Sequence, residues 1–293
     1  MTREARALRP YLLLLRPANV VTTAADVLAG YAIAGMPESR ALPWLLASSA
    51  CLYGGGVVLN DWFDRDLDAV ERPERPIPSG LVPAGRAARM GVGLLIGGVT
   101  LAAGAGAAAA ATASAIAVTV LFYDAWAKRQ RWVGPPTMGA CRGLNLCLGM
   151  AASPAALSGQ WLWALLPFAY IAAVTSVSRG EVHGGSRRVA AWCLAVVIGV
   201  VTFLAGMAAE TWRTQALPLA VTALFAWRVL PAFWRAYRAP SALAIRGAVR
   251  TGVLSLVLLD AAVASLYADV GYALVVVAAG VTAFGLSRLF AVT

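Results

Sequence analysis

Charged residues make up only 13% of this 293-residue chain, about half of the roughly 25% found in soluble domains. Hydrophobic residues make up 60%, and no polar stretch is long enough to form a soluble domain. Histidine is nearly absent, with His183 alone. The four cysteines, Cys51, Cys141, Cys147 and Cys193, sit inside apolar segments without metal-type spacing, so they read as packing residues rather than disulfides or ligands. Acids number 14 against 24 bases, giving a net charge of +10.

Long apolar runs separated by short polar loops describe a polytopic membrane protein. Ten spans are expected, at roughly 12–35, 42–60, 87–106, 109–127, 134–152, 161–177, 189–208, 217–233, 248–266 and 271–290. The third and fourth meet in the alanine-rich run at 106–111, where the boundary is weak. The whole chain, 1–293, reads as one all-α membrane domain. Arg3, Arg6 and Arg9 before an apolar run resemble a signal peptide. That run contains Asn19 and Asp26 and no clear cleavage site, so it is expected to be a retained first span.

The positive charge invites a nucleic-acid partner, but its distribution argues against one. With the N-terminus inside, only Arg40 and Arg213 fall in outside loops. That is the positive-inside pattern, and it points to an integral membrane protein with a cytoplasmic N-terminus. It also gathers four loops on one face: the acidic stretch at 60–68 and the loops at 128–131, 179–188 and 235–246. The tryptophans Trp44, Trp161, Trp163 and Trp212 read as an interfacial belt at the other face.

The stretch from Asn60 through Asp61, Asp64, Asp66 and Asp68 stands out against this apolar background. An acid costs about 2.5–3.5 kcal/mol at a transmembrane helix centre, so a cluster at a span end should meet cations. If the helix runs on, Asn60, Asp64 and Asp68 share one face, with Asp61 beside them. Asn60 and Asp68 would then lie about 12 Å apart at ~1.5 Å per residue. That is too far for one Mg²⁺ and suits two, each held by one or two carboxylates and completed by phosphate oxygens. Pro76 and Pro78 stop the helix, so the chain should fold over the site and bring Arg72 and Arg75 to phosphate oxygens. A solvated loop anchored to anionic lipid is the plainer alternative.

Two further stretches reach the same face. In Tyr123-Asp124-Ala125-Trp126-Ala127-Lys128-Arg129, Lys128 and Arg129 can bind diphosphate, and Tyr123 can hydrogen-bond it or face a carbocation. Interfacial aromatics with positive-inside charge would look the same. In the stretch from Ser178 to Arg188, Glu181 can ligate Mg²⁺ and Arg179 can neutralise phosphate. His183 is either a general base near neutral pH or an incidental loop residue. Deep in the spans lie Asn19, Asp26, Arg142, Asn145 and Asp260. Intramembrane charges face the bundle interior and pair. Arg142 with Asp26 or Asp260 is therefore expected, either as structural glue or lining a substrate cavity.

These residues resemble the UbiA superfamily of intramembrane prenyltransferases. Asn60-Asp61-x-x-Asp64-x-x-x-Asp68 is similar to its first aspartate motif, and Arg75-Pro76-Ile77-Pro78-Ser79-Gly80 to the extension in chlorophyll-synthase-like members. Arg16-Pro17-x-Asn19 looks familial. The resemblance implies nine spans around a central cavity under a cytoplasmic cap. A narrower resemblance, to the UbiA-like EboC branch, rests on Tyr123-Asp124-Ala125-Trp126, Met138 to Asn145, Ser178 to Gly185 and Leu258 to Ala261. That branch implies a part in exporting a metabolite precursor. Two departures stand out. The second aspartate motif keeps only Glu181, and the usual Tyr-x-x-x-Lys spacing is stretched to Tyr123-x-x-x-x-Lys128.

The resemblance implies Mg²⁺-dependent transfer of a prenyl group from an isoprenoid diphosphate to a small acceptor within the membrane. Asn60, Asp61, Asp64, Asp68 and Glu181 would hold metal, and Asp64, Asp68 and Tyr123 would serve catalysis. Asn19, Arg72, Arg75, Lys128, Arg129, Arg142, Asn145, Arg179 and His183 would bind substrates. The rivals are a non-catalytic transporter or lipid-binding protein, and a phosphosugar transferase acting on polyprenyl phosphate.

Overall fold

The computed structural model describes residues 3–38, 40–181, 184–211 and 216–286, all helix, turn or loop, with no strand among them. Thirteen α-helices follow in order. They are α1 (Arg3–Leu15), α2 (Pro17–Ile33), α3 (Ala41–Phe63), α4 (Arg65–Glu71), α5 (Ala84–Ala105), α6 (Ala107–Ala125) and α7 (Gly134–Met150). After these come α8 (Pro154–Gln160), α9 (Leu165–Ser178), α10 (Arg187–Thr211), α11 (Leu217–Arg238), α12 (Ala242–Tyr267) and α13 (Val270–Leu286). Their composition makes this a polytopic membrane helical bundle.

Seven helical segments are long and apolar enough to cross a membrane, and an eighth span forms if α1 and α2 count as one bent by 43°. Each of the ten expected spans has a helix. However, α7 and α13 hold 17 residues each, the lower end of the ~17–25 a span needs. The last expected span ends at Phe290, outside the described residues.

Three breaks have local causes. Between α1 and α2, Arg16 adopts a left-handed backbone (φ 47°) ahead of Pro17, which lacks an N–H and disfavours helix in the residue before it. Between α5 and α6, Gly106 alone turns the chain, at φ 132°, a conformation other residues rarely adopt. This is the boundary that composition left weak. The third break corrects an expectation. The helix does not run unbroken through Asp68 but stops at Phe63, with Asp64 at φ −92°, ψ 1° between α3 and α4. The hydrogen bonds Asp64 N to Asn60 O and Asp68 N to Asp64 O bridge the break, so the acidic residues stay on nearly one face.

Six helices, α2, α3, α6, α7, α9 and α12, wall a central cavity, and α4 covers its mouth. Outside this ring, α5 backs α3 and α6, while α10 and α11 back α9 and α12. Helix α13 backs α2 and α12. Tyr170, buried in the outer core, donates its hydroxyl to Gly252 O at 2.9 Å and ties α9 to α12.

The tightest crossing is α2 on α7. A Cβ on Gly149 would sit 2.2 Å from Val27 O, and one on Gly30 would sit 2.1 Å from Leu146 O. Small residues at such crossings let backbones touch in a membrane, where lipid supplies no hydrophobic drive. Gly149→Ala should therefore force α2 and α7 apart at a cost of about 1–3 kcal/mol, seen as a lowered thermal midpoint in detergent. An unchanged midpoint would mean the crossing is looser than it looks.

Candidate active site under the acidic cap

The cavity measures about 460 Å³. Its mouth is lined by Asn60, Asp64, Asp68, Glu71, Arg72, Arg75 and Glu181, and its middle by Tyr123 and Asp124. Its deeper walls mix polar groups, among them Arg142 and Asn145, with apolar ones such as Ile116, Ile171, Val174, Val249 and Val253.

The loop after α4 carries the cap because two of its residues are anchored. Ile77 and Val82 are buried with Leu14, Val58 and Ala87, and Val82 N bonds Pro76 O at 2.9 Å. That anchoring turns Arg75 inward. Its guanidinium reaches Asp68 at 2.7 Å and Asp61 at 3.3 Å. Arg16, swung out by its left-handed backbone, reaches the same Asp61 oxygen at 2.8 Å. A non-glycine residue in that conformation is strained, and such strain gathers at functional sites. Lys128 reaches Asp64 at 2.8 Å. Every aspartate of the motif thus already faces a cation.

Lys128 arrives despite its stretched spacing from Tyr123. Helix α6 ends at Ala125, and a 3₁₀ turn over Ala127–Arg129 takes up the extra residue. Arg179 holds this turn, donating to Lys128 O at 3.0 Å and Gln130 O at 2.8 Å.

Not every expected site residue faces the cavity. Asn19, Asn60, Asp64, Asp68, Arg72, Arg75, Tyr123, Arg142, Asn145 and Glu181 line it. Asp61 does not; it is buried behind the wall under its two arginines. Lys128 reaches the site through Asp64 and, at 3.4 Å, the main-chain oxygen of Asn60. Arg129 is exposed, and Arg179 is engaged with main-chain carbonyls and lines a different groove. His183 lies outside the described residues. Glu181 stands at the mouth, where burial pushes its carboxyl up against the opposing pull of Arg72 and Arg246.

Two residues given no role in the sequence reading belong here. Asp124 is buried and accepts a hydrogen bond from Asn60 Nδ2 at 2.8 Å, fixing the Asn60 amide. Arg16 is the other. The signal for both was present, since Asp124 sits in the aromatic-basic stretch and Arg16 in the familial Arg-Pro-x-Asn.

Below the mouth, Arg142 pairs with Asp26 at 2.8 Å and donates to Thr22 Oγ1 at 2.9 Å. Asn145 Nδ2 donates to Asp26 at 2.9 Å and to Thr23 O at 2.8 Å, and its carbonyl accepts from Ser49 at 2.8 Å. Asp260, fully buried, lies against Asp26. Of the two partners expected for Arg142, Asp26 forms the direct ion pair.

Comparison with known proteins fixes the family. The sequence profile described as "UbiA prenyltransferase family" matches residues 20–178, more than half the chain. The chain belongs to the UbiA prenyltransferase family. Among curated relatives, a digeranylgeranylglyceryl phosphate synthase of Methanothrix thermoacetophila is 35% identical over 148 residues, covering 50% of this chain and 55% of that one. Another, of Ignicoccus hospitalis, is 43% identical over 88 residues, covering 30% of this chain and 29% of that one. The chain thus spans about half the length of the first relative and less of the second. Solved structures share the fold. A UbiA homologue from Aeropyrum pernix without ligand matches with a TM-score of 0.67 at 17% identity, over 83% of this chain and 96% of that one. A UbiA homologue from Archaeoglobus fulgidus bound to GPP and Mg²⁺ matches with a TM-score of 0.62 at 16% identity, over 87% and 99%.

The site's chemistry fits Mg²⁺. Its donors are oxygens: the carboxylates of Asp64, Asp68, Glu71 and Glu181 and the amide of Asn60. No three acidic, histidine or cysteine residues converge on one metal position among the described residues. Mg²⁺ does not need that, since it binds through about one or two carboxylates plus substrate phosphates.

Proposed function

We propose that this chain is a Mg²⁺-dependent intramembrane prenyltransferase, one transferase domain over 1–293, moving a prenyl group from an isoprenoid diphosphate to a small acceptor. The observation that carries the reading is one continuous cavity. It runs from a cap of carboxylates and arginines to walls of Ile171, Val174, Val249 and Val253, so a charged head and an apolar tail fit end to end.

In this reading Asp64 and Asp68, with Asn60 and with Glu181 across the mouth, hold the metal, which when bound neutralises diphosphate charge. Asp61 backs this set through Arg75 rather than facing the cavity. Arg72, Arg75 and Lys128 supply fixed positive charge to the departing diphosphate as the donor's C1–O bond breaks. Tyr123 presents its ring toward the positive charge left on C1. The apolar walls keep water from capturing that carbon before the acceptor bonds to it. Arg142, Asn145 and Asn19 offer polar contacts to the acceptor. Arg129 remains an outer contact for a substrate entering at the mouth, His183, outside the described residues, keeps its role as a candidate substrate contact, and Arg179 acts by holding the turn that presents Lys128. The relatives' names make a glyceryl phosphate a reasonable first acceptor to test. The stretches at 123–126, 138–145 and 178–185 support a place near the EboC branch, with the cap on the cytoplasmic face of a bacterial-type inner membrane.

One observation favours a second reading, a transporter or lipid-binding protein without catalysis. Asp61, Asp64 and Asp68 are all paired with this chain's own cations, so the cap is neutralised without metal. The two readings part in one assay. Incubating the purified chain with labelled geranylgeranyl diphosphate, Mg²⁺ and a membrane-free extract should give a labelled, solvent-extractable product that EDTA abolishes. If geranyl, farnesyl and geranylgeranyl diphosphates all bind yet stay intact, the transport reading replaces transfer.

A further inference from the structure

A second concavity, about 980 Å³, lies on the opposite side of α9 from the acidic cap, in the gap between α7 and α10. It shares no site residue with the cavity already described. At the end where Arg179 holds the Lys128 turn, it is lined by Arg131, Arg179 and Arg188. Among the described residues, no acidic one lines it. From there it runs along α9 past Ser176, Ala172 and Ala169 to Phe168, with Trp192 and Val196 of α10 on the other wall. Alanines at 169 and 172 keep the floor low. Trp132 and Trp192, 79% and 50% exposed, stand at its edge.

We infer that this groove is a binding site for one anionic phospholipid of the same leaflet. The dimensions suit it. The eleven steps from Phe168 to Arg179 span about 16 Å at ~1.5 Å per residue, close to half of a hydrocarbon core about 30 Å thick. Charge suits it as well. Three guanidiniums with no lining carboxylate complement a phosphate, and a planar guanidinium binds phosphate oxygens through two donors at once. A zwitterionic lipid would bring its own cation into that cluster. Arg131 also stacks on Trp132 at 5.0 Å, which holds its charge at the groove mouth.

The site also adjoins the turn that carries Lys128, because Arg179 lines the groove and holds that turn. A lipid phosphate beside Arg179 would share the guanidinium that holds the carbonyls of Lys128 and Gln130.

The test uses the full chain in phosphatidylcholine vesicles doped with brominated-acyl lipid, which quenches tryptophan on contact. The Trp192 signal is taken as the difference between wild type and Trp192→Phe. Brominated phosphatidylglycerol should quench it at far lower mole fraction than brominated phosphatidylcholine. Arg131→Gln and Arg188→Gln should each weaken that preference about fivefold, the equivalent of ~1 kcal/mol per basic residue at a membrane surface. Equal quenching by the two lipids would overturn the inference and make the groove an ordinary lipid contact. So would a preference that survives both substitutions, or one that millimolar inorganic phosphate abolishes, which would make the site one for a soluble phosphate.

Discussion

Replacing Asp64 with alanine lowers diphosphate release from a geranylgeranyl donor by about 10²–10³-fold, the loss typical of removing one preorganised charge-stabilising group. Asp64 occupies the break between α3 and α4, and its side chain keeps 24% exposure toward the cavity. Removing it leaves no packing void, so the thermal midpoint should hold. It frees Lys128, its partner at 2.8 Å, to meet the diphosphate directly. Donor binding should therefore suffer less than release, and kcat should fall further than KM rises. Full retained activity in Asp64→Ala would mean the cap is not the reacting end of the cavity.

The second large effect is on stability. Arg142→Ala leaves Asp26 and Asp260 side by side, both fully buried, without their cation. Removing one partner of a buried pair costs about 3–5 kcal/mol. It also removes the donor to Thr22 Oγ1. The expected result is a large drop in the thermal midpoint and in folded yield from membranes. Arg142→Met combined with Asp26→Leu and Asp260→Leu should recover much of that loss, since apolar replacement of every member of a buried charged set is often neutral. Yet the same variant should lose much of its transfer, because the acceptor loses the Arg142 contact and keeps only Asn145 and Asn19. Recovery of activity along with stability would make the network structural glue alone.

Much of this was legible in sequence because membrane chains write their helices as composition. The apolar runs marked every long helix, though not how many of them cross the membrane, and the scarcity of charge made each aspartate conspicuous. The Asp64-Asp68 spacing and the Pro76–Pro78 fold-back pointed to residues that line one cavity mouth, Arg72 and Arg75 among them. Spacing cannot say which groups a cation already occupies. Asp61 looked like a ligand, but Arg16 and Arg75 hold it behind the cavity wall. Arg179 looked like a contact for the donor's diphosphate, but it lines a different groove and holds a pair of main-chain carbonyls 49 and 51 residues away, which no local pattern encodes. Asp124 went unassigned because its partner, Asn60, sits 64 residues earlier. The break at Asp64 was hidden because no proline or glycine marks it.

The most direct test of the central claim, that the acidic cap takes a metal and a diphosphate, is a structure with an uncleavable thiolodiphosphate donor and Mn²⁺ in place of Mg²⁺. The account predicts anomalous signal within about 2.0–2.2 Å of oxygens of Asp64 or Asp68. Lys128 should move from Asp64 onto the diphosphate, and the prenyl tail should run toward Val249 and Val253. A diphosphate bound elsewhere, with Lys128 still on Asp64 and no metal at the cap, would contradict it.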